Sequence, residues 1–225
     1  MPVTPSTQKP SAIAPVTEAA VIAAFARREH AGRALAGDVE RIADAARAMA
    51  ARFHLGGKLI VFGDGGAGSD AAHVAVEFMH PVIVGKKALA AVALGNDTAT
   101  VGVGESGEDA AEVFAHQVRH WADASDTALG ISRDGRCASV RRGLRTAGEL
   151  GLLTIALTGG EGHGEGHREG HREGHDGEMA DHVLVIASDD PAVVKEVHVT
   201  AYHLLWELVH VFFDRLGPPM RGATR

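Results

Sequence analysis

The chain has 225 residues, 45% hydrophobic and 23% charged, with a formal net charge of −7. A chain of this length holds one α/β domain with a full core. The acidic balance argues against a nucleic-acid surface, and no apolar run approaches the roughly 20 residues that span a bilayer.

Cys137 is the only cysteine, so no disulfide framework can form within one chain and a reducing cytoplasm is the expected location. The opening stretch MPVTPSTQKPSAIAP carries four prolines and lacks the apolar core of a secretion signal. It reads as a flexible tail over residues 1–16, with a second tail expected at 216–225 and a single domain between them at 17–215.

Residues 17–53 are alanine-rich and helical in pattern, with a break expected near Gly37. Ile42, Ala45, Met49 and Phe53 recur at three- and four-residue spacing, as one buried face requires. KLIVFGDGG then reads as a buried strand running into a glycine turn, and SDAAHVAVEFMH as the helix that follows. Further strands are expected in ALAAVAL, TALGIS, LLTIALTGG and HVLVIAS, with helices at 109–121, 138–150 and 191–215. Alternation of strand and helix predicts an α/β fold. Its five-stranded parallel sheet is flanked by helices, two helices precede it, and a long helix closes the chain. The loops that follow the strands share the carboxyl edge, where such sheets bind ligands.

Three of those loops are unusual: GDGGAGSD after the first strand, ISRDGRCAS after the third, and a histidine run after the fourth. Gly63, Gly65 and Gly68 satisfy G-x-G-x-x-G literally. A dinucleotide also needs an acid at the end of the next strand to hold the ribose. VGKKA stands there, and a glycine turn without a ligand is an equally good reading of the motif. The helix after the turn offers a more specific signal. His73 and Glu77 stand at i and i+4 on one face, a spacing that suits a shared metal ion or an acid/base pair. KEVHVTAYH places Lys195, His198 and His203 on the closing helix, and a histidine in so apolar a helix needs a partner.

With these motifs in place, the sequence resembles the SIS (sugar isomerase) domain family, in its phosphoheptose isomerase branch. GDGGAGSDAAHVAVE matches that branch's GNGGSAADAQHxAAE, SRDGRC stands where it has STSGNS, and KEVHVTAYH matches QEVHxxxxH. The resemblance runs in order from about Thr17 to Arg215. It implies a homo-oligomer, tetrameric or dimeric, with sites at subunit interfaces. The implied substrate is sedoheptulose 7-phosphate, isomerised through an enediol. By position, Glu77 is the implied base and His203 the implied acid. His73, Glu77 and His203 are the implied zinc ligands, and Lys195 stands at a fourth ligand position. Substrate contacts are implied at Gly65, Gly66, Asp97 and Ser132, and Arg133 and Arg136 of the same loop are further candidate phosphate contacts.

The departures from the pattern concentrate in the substrate grip. A protonated lysine cannot ligate a metal, which leaves three protein ligands and an open site. Asp134 and Cys137 replace two serines of the phosphate loop, Ala67 replaces the serine of GNGGS, and Pro81 stands where an arginine is expected. A carboxylate opposes a phosphate; Arg133 and Arg136 compensate only if they turn inward.

The run EGHGEGHREGHREGHDGE, residues 161–178, places His163, His167, His171 and His175 four residues apart. Glycine precedes each histidine, so the spacing does not predict a stable helix. Neutral imidazoles and carboxylates on a flexible chain suit nickel or another divalent transition metal, and a merely soluble slipped repeat is the plain alternative. Two functions follow. One is a phosphoheptose-type isomerase with a rebuilt phosphate pocket. The other is a non-catalytic SIS protein whose histidine run serves metalloenzyme maturation.

Overall fold

The computed structural model describes residues 16–95, 110–160 and 179–217. Asp97, the four histidines of the run and most of both expected tails lie outside the described residues.

The chain enters through α1 (Glu18–Gly37) and α2 (Val39–His54). The Thr17 hydroxyl caps α1 by accepting from the Ala20 N–H at 3.2 Å. The boundary expected near Gly37 falls at Asp38, which leaves helical geometry with φ −94° and ψ 24°. Ile42, Ala45, Met49 and Phe53 of α2 are buried, as their spacing requires. Then follow β1 (Leu59–Gly63), α3 (Gly66–Met79), β2 (Ala91–Ala93), α4 (Val113–Trp121), β3 (Thr127–Ile131), α5 (Ala138–Glu149), β4 (Leu153–Gly160), β5 (His182–Ala187) and α6 (Pro191–Arg215). All five expected strands form, and they pair in parallel in the order β2-β1-β3-β4-β5.

Strand periodicity divides the core into two layers. Leu59 and Val61 of β1, with Leu129, Ile131, Ile155 and Leu157, pack under α1, α2, α3 and α6. Ile60 and Phe62, with Ala128 and Ala156, pack under α4 and α5. Both faces are therefore dry, which is why LIVFG is apolar at every position rather than alternating. α6 begins at Pro191, behind an Asp190 cap whose Oδ1 accepts from the Ala192 N–H at 3.0 Å. It buries Val197, Leu205, Trp206, Val209 and Phe213 against the first layer. Each such side chain contributes about 1.5–3 kcal/mol over an exposed one.

The strand order reverses direction at β1. β1 and β3 are neighbours whose following segments depart to opposite faces, so their carboxyl ends open a crevice. Among the described residues, no helix is long and apolar enough to cross a membrane.

Candidate active site

The crevice begins with a turn that only glycine makes without strain. Gly65 takes φ +55° between β1 and α3, and the Asp64 carboxylate accepts its N–H at 2.7 Å. Across the crevice, Gly159 near the end of β4 donates its N–H to the Arg133 carbonyl at 3.0 Å. A Cβ there would stand 2.5 Å from that same carbonyl oxygen, so a side chain would push the β3–α5 loop away from the sheet.

Between these two loops and the start of α6 lies a cavity of about 670 Å³, a size that takes small molecules. Gly65, Gly66, Ser132, Arg133 and Arg136, all picked out as substrate contacts, line it. Lys195 and His198 of α6 close one side together with Asp70 of α3.

The β3–α5 loop is ordered by its own polar atoms. Ser132 Oγ accepts the Gly135 N–H at 3.1 Å, and Asp134 Oδ1 accepts the Arg136 N–H at 3.0 Å. The Arg136 N–H, more than the Arg133 guanidinium at 3.4 Å, holds the Asp134 carboxyl below its ordinary range. An ionised carboxylate thus stands in the loop where the family pattern has serine. The Cys137 thiol lies 3.6 Å from Asp64 Oδ2 and joins the first loop to this one.

Farther along the same two helices, His73, Glu77 and His203 come together. Their ligand atoms all lie within 4.8 Å of one another. His73 Nε2 is 3.2 Å from Glu77 Oε1, and the His73 and His203 rings are 5.2 Å apart with planes at 76°. The Glu77 side chain is 14% exposed and that of His73 44%. Helix periodicity explains the convergence: Asp70, His73 and Glu77 recur along one face of α3, while Lys195, Tyr202 and His203 recur along α6. Tyr202 Oη lies 2.9 Å from His73 Nδ1, and the Trp206 indole donates to the Glu77 carbonyl at 2.8 Å. Two imidazoles and a carboxylate in one cluster fit a zinc ion with an open fourth position.

Lys195, at the expected fourth ligand position, does not join this cluster. Its ammonium reaches both Asp70 oxygens at 2.7 Å and the Gly66 carbonyl at 3.0 Å. His198 is 2% exposed and its Nε2 has no hydrogen-bond partner among the described residues. Burial above all holds its ring below the ordinary histidine range; the Thr158 backbone and Asp70 act the other way, and Lys195 lowers it further. Three of these groups did not stand out in the sequence. Asp64 and Asp70 sit in a glycine-rich segment where acids read as turn residues. Tyr202 could have been found, since a lone tyrosine in an apolar helix needs a partner for its hydroxyl.

Comparison with known proteins decides the family. The SIS domain pattern matches residues 27–159. A phosphoheptose isomerase from Crocosphaera subtropica is 34% identical over 170 residues, covering 75% of this chain and 81% of the relative. One from Solidesulfovibrio magneticus is 34% identical over 204 residues, covering 88% and 94%. The chain belongs to the SIS domain family, in its phosphoheptose isomerase branch. Solved structures agree with that placement. The phosphoheptose isomerase of Neisseria gonorrhoeae superposes with a TM-score of 0.71 at 30% identity, over 84% of this chain and 96% of that one. That of Francisella tularensis gives 0.74 at 27% identity, over 87% and 100%. The matched SIS segment supplies α3 and the two crevice loops, while α6, which carries His203, lies beyond it.

Proposed function

We propose that the chain is an aldose–ketose isomerase of sedoheptulose 7-phosphate. One observation carries the reading: Glu77 and His203, distant in sequence, meet beside His73 on the two helices that border the crevice. Glu77 removes a proton from C1 of the ketose while His203 protonates the oxygen on C2, giving an enediol. His203 then takes the proton from the oxygen on C1, and Glu77 returns its proton to C2, leaving the aldehyde at C1. The sugar chain lies in the crevice, with its phosphate toward Ser132, Arg133 and Arg136; Gly65, Gly66 and Asp97 are the remaining proposed contacts. Zinc held by His73, Glu77 and His203 would polarise the sugar oxygens in place of the His203 proton. The carboxylate has a second oxygen, so Glu77 can hold an ion and still accept a proton.

The non-catalytic reading has less support. The relatives reported above carry the isomerase name, and this chain has the glutamate and histidine of the family pattern at Glu77 and His203. Nickel or another divalent ion at His163, His167, His171 and His175 is proposed as an addition to the isomerase.

We also read the chain as a cytoplasmic homo-oligomer, a dimer or tetramer. In the isolated chain α1 exposes Val21, Ile22 and Phe25 on one side, with Phe25 70% exposed.

The test is turnover of sedoheptulose 7-phosphate by the purified protein and by Glu77→Gln. An amide cannot accept the proton, so kcat should fall by at least about 100-fold while the substrate still binds. Equal activity in the variant would remove Glu77 from the chemistry, and an inactive wild type that binds no sugar phosphate would remove the isomerase reading.

A further inference from the structure

Both ring nitrogens of His73 are engaged, and by groups of different kinds. Nε2 faces Glu77 Oε1 at 3.2 Å, inside the triad. Nδ1 faces away from it, toward the hydroxyl of Tyr202 at 2.9 Å. Tyr202 is the only tyrosine in the chain. It is 1% exposed, and its ring meets the His73 ring edge-on at 5.5 Å and 75°. The family pattern QEVHxxxxH leaves this position open, so nothing in the resemblance assigns it a role.

We propose that Tyr202 is a positioning residue that fixes the ring orientation of His73 by bonding its Nδ1 in either tautomer. A phenol can donate or accept. When Nε2 carries the proton and bonds Glu77, the Tyr202 hydroxyl donates to a bare Nδ1. When Nε2 gives its lone pair to a metal ion, Nδ1 must carry the proton, and the phenol oxygen accepts it. One hydroxyl therefore serves both states without moving the ring, as partners behind a metal-bound histidine generally do. The phenol is suited to this because it stays protonated. Burial first, and then the nearby charges of Asp70 and Glu77, push its pKa up to about 12. Phenylalanine would fill the same space and leave Nδ1 with no protein partner among the described residues.

The metal half of the proposal rests on the triad being a zinc site; the ring-orientation half does not. Full-length wild type and Tyr202→Phe would be compared by nitrogen-15 spectra of the histidine side chains, first without metal and then in zinc buffers of fixed free-ion concentration. The His73 resonances report occupancy of this site alone, whatever else the chain binds. In Tyr202→Phe the metal-free His73 Nδ1 resonance should shift as its hydrogen bond is lost, and half-occupancy should need about 10-fold or more free zinc. Melting should change little, because the buried ring is retained. A purely structural tyrosine would lower melting and leave the His73 spectrum and zinc titration as in wild type; that result overturns the proposal. If wild-type His73 never responds to zinc, the metal reading of the triad fails, and the metal-free spectra still decide whether Tyr202 holds Nδ1.

Discussion

Lys195 and Asp70 form a two-point ion pair, with the ammonium 2.7 Å from each carboxylate oxygen, that ties the first turns of α6 to the start of α3. The carboxylate is nearly buried, its side chain 9% exposed, while the lysine side chain is 48% exposed. The two partners are therefore unequal: removing the lysine strands a charge that water cannot reach well. The pair also explains why the substitution of glutamine by lysine is compatible with the fold, because the new charge is answered by an acid on the facing helix.

Lys195→Gln should consequently destabilise the protein although it restores the residue of the family pattern. Breaking a fully buried pair costs about 3–5 kcal/mol, and half-exposure of the lysine reduces this to about 1–2 kcal/mol. That is a drop of roughly 2–8 °C in melting temperature for a chain of this size. Adding Asp70→Asn should recover much of the loss by removing the stranded charge. Additive losses in the double variant would show that the two residues do not couple.

The β3–α5 loop makes a second prediction. Asp134 is held ionised and sits among groups that would meet a phosphate, with Arg133 turned to it at 3.4 Å. Replacing Asp134 and Cys137 by serine removes one negative charge, releases Arg133 and adds two hydroxyl donors. KM for sedoheptulose 7-phosphate should fall several-fold with kcat nearly unchanged, since in the proposed pose the loop meets the phosphate end and not C1 or C2. Unchanged kinetics would mean that this loop does not hold the phosphate.

The elements were legible because their signals are local. LIVFG is apolar at every position since β1 is covered on both faces, and α2 shows its buried stripe in Ile42, Ala45, Met49 and Phe53. The meeting of His73, Glu77 and His203 was legible only through motif spacing, since nothing local says that α3 and α6 are neighbours. What stayed hidden were choices between partners. Lys195 could have faced the triad or solvent, and it turned to Asp70, a nearly buried carboxylate with no other ion pair among the described residues. Arg133 could have kept its charge free for a ligand, and it bonds the adjacent Asp134 instead. The pattern of apolar residues does not encode such choices.

His198 gives a pH dependence whose sign can be worked out. Burial is the main reason its ring resists protonation in the fold; of the charged groups facing it, Asp70 favours protonation and Lys195 opposes it. Its folded pKa therefore lies below the unfolded value of about 6.5. As pH falls through 6.5 the unfolded chain takes up a proton that the folded chain refuses, so stability present above that pH is lost on acidification. Between pH 7.5 and 5.5, melting of the wild type should fall more steeply than that of His198→Gln, which has no proton to take up. Parallel slopes would mean that His198 titrates normally in the folded protein.

The histidine run should bind a divalent transition metal independently of the triad. His163, His167, His171 and His175 supply four imidazoles in one short segment, and four such ligands can wrap one ion, with Ni²⁺ and Cu²⁺ held ahead of Mn²⁺. Protons compete for the same nitrogens, so binding should weaken as pH falls through roughly 6.5. Residues 161–178 also carry the chain back from the end of β4 to the start of its parallel neighbour β5, so the test keeps their length and changes only the ligands. Replacing all four histidines by glutamine should leave the melting temperature of the metal-free protein nearly unchanged while lowering bound Ni²⁺ per chain. Calorimetric nickel titration of the wild type and the four-glutamine variant measures the difference. Replacing His73 by alanine should leave the nickel taken up by the run untouched. Equal uptake by the wild type and the four-glutamine variant would assign all nickel binding to the folded domain and leave the run without a metal role.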